Sequence, residues 1–540
     1  MTYCYLPQKL HLQKSLTLGE QRNGPLFDWF VDSSISSSGD GKSPAQAFKT
    51  FAEVIAAVGS LPNQRIGLAC NAEWKEQLSI GSPGNHVDGT EIGYYGSSYE
   101  LPSSGATADA PFIDASDTIP NANFTLVGGT SFTYQATVNF TTAPGAADQR
   151  LIWENDKCLT QVAYSAGVEL ATPGTFAYSS YTANSATVYV RASDSSAIPS
   201  NGKKYDYPNR LECINIYGAN CRITNIRTRR QRDNNGSCNI LGGDYGWIVN
   251  CTMEDGHKHS SYLQEGGGWI GCMLKNNYNG TSGSPNFLVA NKNVGTGLGV
   301  TVQNNTFISD PNIVPAVNIT SSFLCHTSVS GNFGTITASG NSHTYSESAY
   351  VPQNITAINV SGDIFLNCKG TGNDNTENLT GLFSDINFTV NVTTISSVNG
   401  PFNSLPPSGR STITHVNCTF STATYEPCTM SGNNVDATFT NCSFSAGDTS
   451  ARFPHGLIRM TGTGCTLTVN GTTLQTGLAA DSFFNMAADT VYAGDNNHFI
   501  KTGSGIHFQR ANSDVATSLA AWQAYTTNAA VGHDANSTLV

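Results

Sequence analysis

Charge is what this chain has least of. Only 12% of its 540 residues are Asp, Glu, Lys or Arg, about half the share in an average soluble domain. Cations are the scarcer sign, 27 against 39 acidic residues, for a net charge of −12. So few Lys and Arg exclude a partner held by its phosphate backbone, so no nucleic acid is expected. Long apolar runs are missing too. None approaches the ~18 residues of a membrane span, so no membrane insertion is expected. The first residues, MTYCYLPQKLHLQKSLTLGEQRNG, hold no apolar core segment and no small-residue cleavage site, which speaks against an export signal. The Ala, Glu, Lys, Leu and Arg of a long-helix protein are under-represented, and the low hydrophobicity with high net charge of a disordered chain is not found.

What the chain does have is Gly, Asn, Ser and Thr in a weak internal repeat. Two or three β-formers precede an Asn or Gly, and an alternating strand follows. Copies include CRITNIRTR from Cys221, GWIVNCTME from Gly246, GVTVQNNTFI from Gly299 and CTLTVNGTTL from Cys465. A tight corner between strands needs left-handed backbone, which Gly and Asn tolerate best. Asn225, Asn250, Asn304, Asn417, Asn441 and Asn470 are assigned to that corner, with their amides stacked in a ladder. Beyond the corner, alternation points Cys251 and Met253 inward and Thr252 and Glu254 outward. The pattern predicts an all-β, right-handed parallel β-helix of about eleven coils, a rod on the order of 50 Å long. Many of the 14 Cys recur in one context, Asn250-Cys251, Asn367-Cys368, Asn417-Cys418 and Asn441-Cys442, and they read as buried, reduced thiols rather than a disulfide framework.

Five regions follow. Residues 1–24 form a polar tail, and 25–115 hold a cap helix and the first coils. An inserted β subdomain occupies 116–204, the β-helix proper 205–500, and a C-terminal cap 501–540. The cap helix is placed at 44–62, with Phe48, Phe51, Val54 and Ile55 on one face, and a second helix at 512–525.

The stretches WFVDSSISSSGDGKSPAQAFKTFAEV (29–54), LACNAEWKEQLSI (68–80) and APFIDASDTI (110–119) resemble the pectate-lyase-like β-helix superfamily. That resemblance implies carbohydrate as the ligand class, and leaves polysaccharide lyases, glycosidases and bacteriophage tailspikes open. The missing export signal and reduced thiols favour the tailspike branch: a virion tail protein, trimeric, bound to other tail proteins and gripping host surface polysaccharide. The alternatives are a free polysaccharide lyase or hydrolase, secreted, and a purely structural virion rod. No cofactor is implied.

Against so little charge, clusters carry information. IRTRRQRDNNG (226–236) supplies Arg229, Arg230 and Arg232, and MEDGHKHSSYLQEGG (253–267) supplies Glu254, Asp255, His257, Lys258, His259, Tyr262, Gln264 and Glu265. β-Elimination at a uronate needs a cation beside the carboxylate and a base: one of the arginines, with His257, Lys258 or Tyr262. Hydrolysis needs two carboxyl groups, for which Glu254, Asp255, Glu265 and Asp244 are candidates. His257, Lys258, Tyr262 and Glu265 are thus the catalytic candidates, and Arg229, Arg230, Arg232, Asp255, His259 and Gln264 the glycan-binding ones. Replacing Arg229 and Arg232 by Ala is expected to weaken glycan binding at little cost in stability. The competing reading is a surface ladder of Arg229, Glu254 and Lys275 in successive coils, or an inter-subunit contact. Trp247 and Trp269, one coil apart, read as a stack. GDGKS (39–43) is a turn, since a phosphate loop requires Gly where Ser36 stands. His257-x-His259 lacks a third ligand, so no metal is expected.

Overall fold

Parallel strands dominate a computed structural model of the chain. It describes residues 27–96, 104–141, 151–179, 184–232, 238–257, 259–278, 286–292, 298–308, 321–327 and 334–344. Further on it describes isolated strands between 348 and 430, then 433–446, 456–476, 482–501, 508–511, 513–530 and 532–540. The polar tail at 1–24, Lys258 and Asn417 lie outside the described residues.

The fold is all-β and built from three faces. The first is a sheet of 14 strands from Trp29–Val31 to Val491–Asp495, and the second a sheet of 14 from Glu73–Trp74 to Thr538–Leu539. The third face is divided into an eight-stranded and a six-stranded sheet. From Ile214 to Lys501 the chain visits the faces in rotation. Trp247–Val249 lies in the first, Thr252–His257 in the second and His259–Leu263 in the third, and Gly268–Ile270 returns to the first. Fourteen strands on a face, rather than eleven, make a stack about 60 Å long.

Inside, residues pointing inward from the second sheet are buried: Ile113, Met253, Leu274, Phe307, Phe444, Leu474 and Phe499 belong to one row. Each such side chain is worth about 2 kcal/mol in removal from water. The corner between first and second faces is left-handed at Asn225, Asn250, Asn304 and Asn441, and at Gly271, Gly340 and Gly471. Asn470 does not occupy the corner. It ends its strand one residue early, and Gly471 takes the left-handed position.

A ladder runs one residue later, on the inward side. There Asn305 donates its backbone N–H to the Asn341 side chain (2.9 Å), and Asn341 donates to Asp363 (2.9 Å). Farther along the stack, Cys442 to Thr472 (3.3 Å) and Thr472 to Asn497 (3.0 Å) repeat the pattern. Each bond contributes about 1 kcal/mol. Cys251 and Cys272 hold the same inward position, and all ten described cysteines are free, nine of them buried.

The cap helix is Phe51–Val58, shorter than 44–62, because Thr50 stops it with a reciprocal capping box to Glu53. Phe48 stays outside the helix, stacked on Trp29 at 5.9 Å. At the far end the predicted 512–525 helix is a strand, Ser513–Ala516, then a single helix at Leu519–Gln523 that drives Trp522 onto Phe508 at 4.6 Å. Trp247 and Trp269 do not stack. Trp247 pairs with Gly268, so the two indoles fall on opposite sides of the sheet. Trp269 is buried and donates to Ser261 (2.9 Å).

Between the second-sheet strand Phe112–Asp114 and the third-face strand Ile214–Ile216, the chain leaves the stack. It makes a five-stranded sheet, Thr125–Leu126, Thr133–Asn139, Thr160–Gln161, Thr175–Ser179 and Ser185–Arg191, largely antiparallel. A four-stranded antiparallel sheet accompanies it, and Phe124, Val138, Phe176, Val188 and Tyr205 belong to a core of its own.

Candidate functional site

The second face carries two outward rows. Register aligns Arg227, Thr252, Met273 and Thr306 in one, and Arg229, Glu254, Lys275 and Ile308 in the other. A strap made by residues 104–107 lies over the first row and its corner, one strap residue to each of four coils. Thr107 donates to Asn225 (2.7 Å), Ala106 to Thr252 (2.8 Å) and Gly105 to the Gly271 carbonyl (2.6 Å), while Ser104 pairs with Thr306 (2.8 Å). The second row stays uncovered by the strap, and the inserted subdomain stands on its other side. Arg229, Glu254 and Lys275 form a strip between strap and subdomain, hereafter the trough.

Glu254 pairs loosely with Lys275 (3.6 Å) and Arg227 (4.0 Å). Arg229 does not join that ladder. Its Nε donates to Asp114 (2.8 Å), its Nη1 to Asp156 (3.0 Å), and its guanidinium lies over Phe112 at 4.6 Å. Arg230 is fully buried. It donates to Asp206 (2.8 Å) and Asp156 (2.6 Å), with Trp153 as a π-face at 4.8 Å. Asp206 also takes Lys75 (3.2 Å), Lys204 (3.0 Å) and the Thr118 hydroxyl (2.6 Å). Asp114 belongs to the coil, whereas Asp156 and Asp206 belong to the subdomain, so this cluster fastens one to the other.

Asp255 closes the cluster 3.9 Å from the Arg230 Nε. Burial pushes its carboxyl up to about 6, against the opposing pull of Arg230. At Asp156 burial pushes the same way, but the charges of Arg229 and Arg230 outweigh it and hold the carboxylate below its ordinary range. The Asp156 side chain is 65% exposed and that of Asp255 14%. Because both reach one guanidinium, their oxygens lie no more than about 9 Å apart, which does not exceed the widest spacing of glycoside-cleaving carboxyl pairs.

The other candidates scatter. Arg232 is fully buried over Phe140 (5.3 Å), near a buried Glu212 that burial pushes up to about 7. Arg229, Arg230 and Arg232 therefore do not stand free for a glycan, and replacing them removes packing and ion pairs along with charge. His257 and His259 are buried on either side of the second corner, where their carbonyls accept from Gln231 (2.8 Å each). Tyr262 and Gln264 face outward on the third face, away from the trough, while Ser261 and Leu263 point inward. Glu265 is buried at the third corner, accepting from the Leu298 N–H (3.1 Å), and burial, with the charge of Glu265 nearby, pushes the Asp244 carboxyl above its ordinary range. Among the described residues no group of His, Cys, Asp and Glu is arranged to hold a metal ion.

Sequence reasoning missed Asp114, Asp156, Asp206 and the strap. Asp156 carried one signal: Asn155-Asp156 forms a two-residue turn, both residues left-handed, between paired strands. That turn sets Asp156 at a hairpin tip.

The sequence matches no family model and no curated protein. One solved structure, described as the complex structure of XylC with xylose, has a TM-score of 0.51 at 8% identity, over 90% of this chain and 86% of its own. Another, a glycoside hydrolase, has a TM-score of 0.43 at 9% identity, over 88% and 96%. The likeness to the first is one of fold.

Proposed function

We propose that the stack is a right-handed parallel β-helix whose trough binds polysaccharide and hydrolyses it. One observation carries the reading: Asp156 and Asp255 share a guanidinium while their acidities are driven apart. Asp255, protonated into the mildly acidic range, gives its proton to the leaving glycosidic oxygen. Asp156, ionised, takes a proton from the attacking water, so water is added across the bond. Hydrolysis is favoured over β-elimination because Arg229, Arg230 and Arg232, the cations assigned to a uronate, are occupied or buried. A solved structure of similar fold, in complex with xylose, is consistent with a sugar ligand.

A finer assignment belongs to this proposal, that of a trimeric bacteriophage tail protein that grips host surface polysaccharide. The resemblance of residues 29–54, 68–80 and 110–119 supports the superfamily alone, and within it the tail-protein branch rests on the free, buried thiols.

The test is incubation with bacterial capsule and lipopolysaccharide preparations, following new reducing ends. Asp255→Asn and Asp156→Asn are expected to lower their appearance by at least about 100-fold. Unsaturated ends in place of reducing ends, or variants as active as the parent, would overturn the reading.

A further inference from the structure

Arg230, Asp255 and Asn276 hold the same place in three successive coils, each one residue past the strip of Arg229, Glu254 and Lys275. All three have left-handed backbone, with φ of 63°, 51° and 51°. A residue with a Cβ enters that region only at a cost. Beyond the kink the ladder resumes, with Gly256 opposite Asn277 and His257 opposite Tyr278. Strict alternation would put Asp255 on the inward side with Met253. The kink releases it, and its two oxygens meet two different neighbours. Oδ2 lies 3.9 Å from the Nε of Arg230, whose guanidinium also holds Asp156. Oδ1 lies 3.5 Å from the Tyr278 hydroxyl, which donates to it.

One side chain of the subdomain touches both neighbours. The Trp153 indole has Arg230 over its face at 4.8 Å and meets Tyr278 edge-on at 6.1 Å. With Leu151 and Cys158 it buries the Tyr278 ring. That burial, with the charges of Asp255 and Cys158 nearby, pushes the phenol well above its ordinary range, so it keeps its proton and serves as a donor. The bond is long, as bonds to catalytic groups often are before substrate arrives. The remaining groups that face Asp255 divide. Burial and the charge of Glu254 push its carboxyl up, while Arg230, Arg229 and a hydrogen bond from Asn276 pull it down.

From this we propose that Tyr278 is a positioning residue for Asp255: its hydroxyl holds Oδ1 and leaves Oδ2, the oxygen toward Arg230 and Asp156, to carry the proton. A carboxyl protonated on either oxygen delivers its proton in two directions, and a fixed donor on one oxygen removes one of them. The role rests on the reading of Asp255 as the acid that protonates the leaving oxygen, but the contact itself can be measured without turnover.

The whole protein, labelled with 13C at its aspartate carboxyl groups, is titrated by nuclear magnetic resonance, and Asp255→Asn identifies the Asp255 signal. In the parent that carboxyl titrates at about 6. Tyr278→Phe keeps the packing on Trp153 and removes the donor, so the midpoint should move up by about half a pH unit or more. With a polysaccharide that yields reducing ends, the same variant should lower kcat about tenfold and leave KM within about twofold. The alkaline limb of its pH profile should move up with the carboxyl, because the acid works only while protonated. An unmoved midpoint overturns the proposal, since Tyr278 would then only pack. So does a downward move, which would mean that the phenol accepts the carboxyl proton. An upward move with no reducing ends from any preparation keeps the contact and overturns hydrolysis alone.

Discussion

Two buried carboxylate networks, one at each end of the coil stack, solve the same problem by opposite means. At the C-terminal cap, Asp534 is fully buried and accepts from four neutral side chains: Tyr492 (2.8 Å), Trp522 (2.8 Å), Asn497 (2.8 Å) and Ser537 (2.7 Å). At the subdomain junction, Asp114, Asp156, Asp206 and Asp255 share the charges of Arg229 and Arg230. All four donors at Asp534 are neutral, and each gives one bond to the carboxylate. The ionic cluster gives its cations mainly to Asp114, Asp156 and Asp206, leaving Asp255 at arm's length and raised to about 6. A lock built from dipoles is only a lock. One built from ions leaves a group whose proton is available to chemistry.

That contrast can be broken most forcefully at Arg230. Arg230→Met leaves Asp206 and Asp114 buried with less counter-charge, and a loss of about 3–5 kcal/mol in unfolding free energy is expected. Denaturant titration checks it. A near-neutral result would mean that the cluster is not what fastens the subdomain.

Next in size is a pH effect close by. Glu212 is buried and accepts from Gln77 (2.9 Å), and burial lifts its carboxyl from 4.5 to about 7. The neutral form is therefore the folded form. The stability it contributes is whole below pH 4.5 and is lost as pH rises through about 7, by at most about 3 kcal/mol. Urea midpoints measured at about pH 5 and pH 8 should differ for the parent, and the difference should shrink in Glu212→Gln.

The smallest change is expected at the cap. Asp534→Asn turns one acceptor toward donors and should cost about 1–3 kcal/mol, read from denaturant titration. A loss as large as that of Arg230→Met would erase the contrast between the two networks.

Much of the coil was legible because it is local. Left-handed Asn225, Asn250, Asn304 and Asn441, and inward Cys251, Met253 and Phe444, follow from backbone sterics and strand alternation within a few residues. The inward ladder through Asn305, Asn341 and Asp363 was less so, because Cys251 and Cys272 hold the same position and hide its polarity. The trough was hardest. Cation-rich 226–236 marked one of its edges, but the partners that bury those arginines are far away in sequence: Asp114 lies 115 residues before Arg229, and Asp156 lies 74 before Arg230. A concentration of arginine is the same signal whether its counter-charge is a ligand or a distant aspartate. Only the closure of the insertion onto the coil separates the two.

The strap has a consequence for how such a molecule changes over generations. Stacked coils touch mainly their neighbours, so lineages can gain or lose a whole turn with little penalty. Thr107, Ala106, Gly105 and Ser104 tie four successive turns one residue at a time. Duplicating or deleting a turn beneath them would put every later tie out of step. Length variation among descendants of this chain should therefore collect beyond Thr306, and the turns under the strap should keep a fixed number.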